Sequence, residues 1–130
     1  MKGCGIITIL IDNTTVKPIY EQILSQIKDS ILSGELKADA PLPSIRGLAK
    51  ELKVSVITTK RAYDELENQG YICTVAGKGC FVSPKSKHIA DEEIKNQITA
   101  NLENVNRLCN MSVYNKKDII AMLDSFEWSE

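Results

Sequence analysis

Three short stretches carry donors and cations at spacings that suit a polyanion. They are Leu42-Pro43-Ser44-Ile45-Arg46, then Val54-Ser55 with Thr58-Thr59-Lys60-Arg61, and finally Gly77-Lys78-Gly79. Ser44 and Arg46 fall at a helix start, where unpaired backbone N–H groups and the helix dipole already favour an anion. Ser55, Thr58, Lys60 and Arg61 lie off the apolar face of the next helix, free to meet phosphates or base edges. The forked donors of Arg61 suit guanine O6 and N7. Gly77 and Gly79 let the backbone approach closely, and Lys78 can enter a minor groove or neutralise a phosphate. The chemistry expected is the gripping of duplex DNA, with a helix fixed in the major groove by phosphate contacts on both sides.

Each element also has a plainer use. Arg46 can pair with Glu51, and Lys60 and Arg61 can pair with Asp64 and Glu65 at helical spacing. A Gly-Lys-Gly turn taken alone is only a turn. The order and the gaps together favour DNA. No Ser-His-Asp, Cys-His, paired-carboxylate or phosphate-loop arrangement is present, and His88 stands alone. An enzyme is therefore not expected, and neither is a metal or cofactor.

Charge supports the same partner by its distribution rather than its total. The formal net charge of the 130 residues is −1. Between Ala40 and Tyr63, however, Arg46, Lys50, Lys53, Lys60 and Arg61 face only Glu51, a local charge of +4. From Ser86 to Glu130, five cations face eight carboxylates, a local charge of −3. A basic field beside an acidic tail is an asymmetry suited to nucleic acid. No apolar run approaches the ~20 residues of a membrane span, and the N-terminus does not read as a signal peptide. A cytoplasmic protein with no membrane partner is expected. Cys4, Cys73, Cys80 and Cys109 have no paired spacing, which suits reduced thiols. Cys73 and Cys80 flank the Gly77 tip, so a redox pair across a hairpin is the one exception kept open.

The elements that position these residues are readable from periodicity. The β-branched run over residues 6–11 predicts a strand packed on the first domain. Pro18 opens a helix with Ile19, Ile23, Leu24, Ile27 and Ile31 at helical spacing, and Gly34 stops it. Residues 38–43 are a loop. Ser44 caps a second helix that buries Ile45, Leu48, Ala49 and Leu52. Ser55 caps a third that buries Thr59, Ala62, Tyr63 and Leu66 and ends before Gly70. Tyr71–Val75 and Cys80–Ser83 form a hairpin around the glycine tip. The fold class is mostly α (α+β): a winged helix-turn-helix over 1–84, then a helical region over 85–130. Pro84–Lys87 reads as a linker. After it come a long stripe from Ile89 to Leu108 and a short helix capped by Asn115 with Asp118 three residues on. Two helices are too few to bury their own stripes, so a second copy of the chain is expected to cover them.

The segment from Pro18 to Val82 closely resembles the N-terminal domain of GntR-family bacterial transcription regulators. Pro18-Ile19-Tyr20, Gly34-Glu35-Leu36, Leu42-Pro43-Ser44-Ile45-Arg46-Gly47-Leu48-Ala49, Val54-Ser55, Arg61-Ala62-Tyr63 and Gly77-Lys78-Gly79-Cys80-Phe81-Val82 carry the resemblance. The Pro-Ile-Tyr-Glu-Gln opening and the short tail look like the YtrA subfamily. The resemblance implies a homodimeric regulator, as a repressor, on a two-fold-related operator, with the tail helices dimerising. Some relatives regulate transporter operons. Larger members are ligand-controlled, and an effector here would sit between the tail and the winged helix.

The chain also departs from the family. Thr59 stands where Val is usual and should bond back along its helix. Val56 and Ile57 occupy positions that are often polar or basic, and Cys80 replaces Thr. Apolar Val56 and Ile57 give the alternative reading, a winged-helix protein-interaction module without DNA binding, its best support.

Overall fold

A computed structural model describes residues 8–129. The element order is α1 (Ile19–Leu32), α2 (Ile45–Leu52), α3 (Val56–Asn68), β1 (Ile72–Val75), β2 (Gly79–Val82), α4 (Ser86–Asn110) and α5 (Lys116–Ser125). Two compact units divide the chain, the first ending at Glu92 and the second beginning at Glu93.

In the first unit, α1 turns Ile23, Ile27 and Ile31 inward, one side chain per helical turn. They share a core with Leu48 of α2 and Ala62, Tyr63 and Leu66 of α3. Burying each such aliphatic side chain contributes about 1.5–3 kcal/mol. Thr59 is fully buried among these residues, and its hydroxyl donates to the Ser55 carbonyl at 3.1 Å, as expected for a polar group on that face. β1 and β2 pair antiparallel, closing the core with Ile72 and Val82, which sit directly opposite each other.

The loop over 38–43 does more than connect. Pro41 bridges Phe81, flanked by Leu42 N–H to Cys80 O at 2.9 Å and Val82 N–H to Ala40 O at 2.9 Å. Pro41 has no N–H to give and occupies a position where none is needed. The hairpin thus gains a short third edge that delivers the chain to the start of α2.

Three expectations are corrected. First, residues 8–11 form no strand, while residues 6 and 7 lie outside the described residues. The segment is held by side-chain amides instead. Gln26 accepts from Leu10 N–H at 2.9 Å and donates to Leu10 O at 2.8 Å. Gln22 does the same for Asp12, at 2.8 and 2.9 Å. Glutamines one helical turn apart match backbone groups two residues apart in an extended chain, since both spacings are about 6 Å. The side chains of α1 therefore act as the partner strand. Just beyond, the Thr14 hydroxyl and then its N–H hold the Asp12 carboxyl below the usual carboxylate range.

Second, Cys73 and Cys80 do not face each other. Cys73 lies opposite Phe81 and Cys80 opposite Thr74. The two thiols therefore emerge on opposite faces of the ribbon. The Cys80 sulfur lies 3.5 Å from the Thr74 hydroxyl, and both cysteines are unpaired.

Third, the linker expected over Pro84–Lys87 ends early, because α4 begins at Ser86. Ser86 and Ala90 are buried and Ile89 is half-buried against the core. The residues expected as linker thus enter α4, and His88 belongs to a helix. Gly70, with φ of 88°, lies so close that a Cβ there would come within 2.7 Å of Ile89 Cδ1.

In the second unit, α5 opens on a capping box. Asn115 Oδ1 accepts from Asp118 N–H at 3.2 Å, and Asp118 Oδ2 accepts from Asn115 N–H at 2.8 Å. Val105, Cys109 and Ile119 are half-buried, whereas Ile98, Leu102, Met122, Leu123, Phe126 and Trp128 are exposed. Among the described residues, no helix is long and apolar enough to cross a membrane.

Candidate nucleic-acid interface

The helix-turn-helix is built by two serine caps and one left-handed residue. Ser44 Oγ accepts from Gly47 N–H at 2.9 Å and starts α2. Lys53, with φ of 60°, ends it, and the chain turns into Ser55. Ser55 Oγ accepts from Thr58 N–H at 3.0 Å and starts α3. Each cap is worth about 1 kcal/mol of helix stability. A Cβ at Gly47 would lie 2.8 Å from Ser44 Oγ, so a side chain there would make the capping hydroxyl shift. Tyr63 of α3 donates its hydroxyl to Pro43 O at 2.7 Å, which fixes the approach to α2 against α3.

The candidate residues fall into three groups on this frame. Ser44 and Arg46 stand at the exposed start of α2. Ser44 Oγ accepts the cap bond, which leaves its own proton for a phosphate. Among the described residues, Arg46, Lys50 and Lys78 pair with no carboxylate, so the plainer use of Arg46 with Glu51 is not made. An unpaired guanidinium beside the positive end of a helix is poised for an anion.

At the start of α3, the Ser55 hydroxyl donates to Thr58 Oγ1 at 2.8 Å, which leaves half-buried Thr58 its own proton to give. Lys60 pairs with Asp64 at 2.7 Å, with both side chains more than half exposed. Such an exposed helical pair contributes only about 0.3–0.5 kcal/mol, too little to withhold Lys60 from a phosphate. Arg61 lies over the Tyr20 ring, 3.8 Å from its centroid. Stacking occupies the guanidinium face and leaves its N–H edges available.

At the wing, Lys78 N–H bonds to Val75 O at 2.9 Å and closes the turn. Gly77 and Gly79 have φ of 77° and 108°, and a Cβ on either would meet nothing within 4 Å. Backbone conformation, not space, requires glycine at this tip. Both glycines and Lys78 are exposed.

Sequence reasoning missed Tyr20, Gly47 and the Tyr63 hydroxyl as positioning groups. Gly47 carried a local signal, as a glycine three residues after a cap. The other two act across the fold and left none.

Comparison with known proteins places the fold that carries these residues. Residues 19–82 match the model of the bacterial regulatory proteins of the gntR family. The HTH-type transcriptional repressor YtrA of Bacillus subtilis is 42% identical over 79 residues, which span 61% of each chain. The chain thus covers under two thirds of that relative's length. A GntR family transcriptional regulator from Listeria monocytogenes has a similar structure, with a TM-score of 0.66 and 34% identity. That match covers 90% of this chain and all of the Listeria chain. The DNA-binding domain of AraR, solved in complex with operator ORX1, matches with a TM-score of 0.53 and 28% identity over 59% of this chain and 96% of its own. The present chain belongs to the GntR family of bacterial regulatory proteins.

Proposed function

We propose that the chain is a sequence-specific DNA-binding transcriptional regulator, acting as a homodimeric repressor on an operator with two-fold character. The observation that carries this reading is the pair of capped helix starts, with Arg46 unpaired at one and Ser55, Thr58 and Lys60 at the other. Ser44, Arg46 and Lys78 serve as phosphate anchors. Arg61, Lys60, Ser55 and Thr58 face base edges and the adjoining backbone. The repressor names of relatives and the operator complex of AraR support the partner. Dimerisation is supported by the second unit, whose exposed Leu102, Leu123, Phe126 and Trp128 need a cover that two helices cannot supply.

The exposed Val56 and Ile57 favour one rival, a protein-interaction module that has lost DNA. Gel retardation of a fragment from the chain's own promoter separates the two. A specific complex that weakens steeply with salt, by about 0.9 log units per log unit of salt for each phosphate neutralised, supports the regulator. Retained dimerisation with no retarded fragment at low salt supports the module instead.

A further inference from the structure

The outward face of α3 carries an apolar knob among polar side chains. Ile57, in the first turn, is 81% exposed, and Val56 beside it is 42% exposed. The core face of α3 is made by Thr59, Ala62, Tyr63 and Leu66, so Ile57 has no packing role in the fold. Its neighbours Ser55, Thr58, Lys60 and Arg61 are polar, so among them Val56 and Ile57 alone offer apolar surface. A β-branched side chain on a helix holds essentially one χ1 rotamer. Ile57 is thus a rigid surface of methyl groups that loses little entropy on contact.

The major groove offers one apolar group to such a surface, the C5-methyl of thymine. The other base edges there are donors and acceptors, and covering them with isoleucine leaves them unpaired and dehydrated. Cytosine is the instructive contrast, because it lacks the methyl and presents an amino donor instead. From this geometry we infer that Ile57 is a specificity-determining residue that reads a thymine methyl in each operator half-site. The inference rests on the DNA-binding reading above. It turns the departure of Ile57 from a polar residue into a statement about the DNA sequence preferred.

Deoxyuridine substitution tests it, because uracil differs from thymine only by the missing methyl. Each thymine of a selected half-site is replaced in turn, and the affinities of the parent and of Ile57→Ala are measured on every duplex. The parent should lose about fourfold at one position per half-site, the worth of one buried methyl. Ile57→Ala should bind thymine and uracil duplexes equally at that position. Its thermal unfolding midpoint should match the parent's, since the side chain packs on nothing. A parent indifferent to every thymine methyl overturns the assignment. So does an Ile57→Ala variant that keeps the same preference for thymine, because another group is then reading it. A parent that binds no duplex at all is a different failure, that of the DNA-binding reading itself.

Discussion

Arg46→Ala is expected to weaken binding to every DNA sequence by about 10- to 150-fold, the worth of a charge-assisted hydrogen bond of about 1.5–3 kcal/mol. The weakening should be nearly uniform across sequences, because a bond to phosphate carries no base information. Arg46 has no intramolecular partner among the described residues, so its removal leaves no buried charge and should not move the unfolding midpoint. The slope of log affinity against log salt should become shallower by about one, since one phosphate fewer is neutralised. Fluorescence anisotropy on specific and scrambled duplexes, over a salt series, measures both effects. Arg61→Ala is the informative contrast. Its guanidinium lies on α3 with one face against Tyr20, which leaves its N–H groups to bond, so its removal should alter the preferred site as well as the affinity. If both variants bind like the parent at moderate salt, these roles are wrong.

Leu66→Ala addresses the opposite face of the same helix and should act through stability alone. Leu66 is fully buried between α3 and the core. Cavity formation at such a site costs about 2–5 kcal/mol. That is a large part of the roughly 5–15 kcal/mol that holds a typical domain together. The urea midpoint should fall sharply with the slope unchanged. DNA affinity, measured in the cold and corrected for the folded fraction, should match the parent's. Leu66→Ala and Arg61→Ala thus separate the face that holds α3 in the fold from the residues proposed to meet DNA. A Leu66→Ala protein as stable as the parent would mean that α3 does not pack as described.

Local signals were the legible part of this fold. Ser44, Ser55 and the Asn115–Asp118 box were readable because a cap lies within three residues of the group it satisfies. The inward face of α3 followed from periodicity, and the back-bond of Thr59 followed from a hydroxyl on a buried face. What escaped was set by groups far apart in the chain. The run over residues 6–11 has strand composition, yet in the described part of it Gln22 and Gln26 supply the partner, and nothing marks two glutamines on a helix as a substitute strand. Cys73 and Cys80 flank the tip symmetrically in sequence, but the register offsets them by one residue, which places them on opposite faces. Pro84–Lys87 read as a linker because its composition is polar, while Ser86 is buried and Ala90 joins a core assembled from residues far away in the chain.

For the candidate interface, residue types were legible and their commitments were not. Arg61 had every attribute of a base reader, and only the fold brings Tyr20 beneath it. Lys60 could be paired with Asp64 from spacing alone, as the structure bears out. Ile57 was visible as a departure, but its exposure had to be seen before it could be given work.

Recognition of a two-fold-related DNA site by the full chain, through α2, α3 and the wing, is open to a direct trial. Bound duplexes are selected from a random pool and sequenced. Two inverted half-sites at one fixed spacing should be enriched, each with a thymine whose methyl matters to Ile57. Recovery of no enriched sequence, or of single half-sites without a fixed partner, would contradict such recognition.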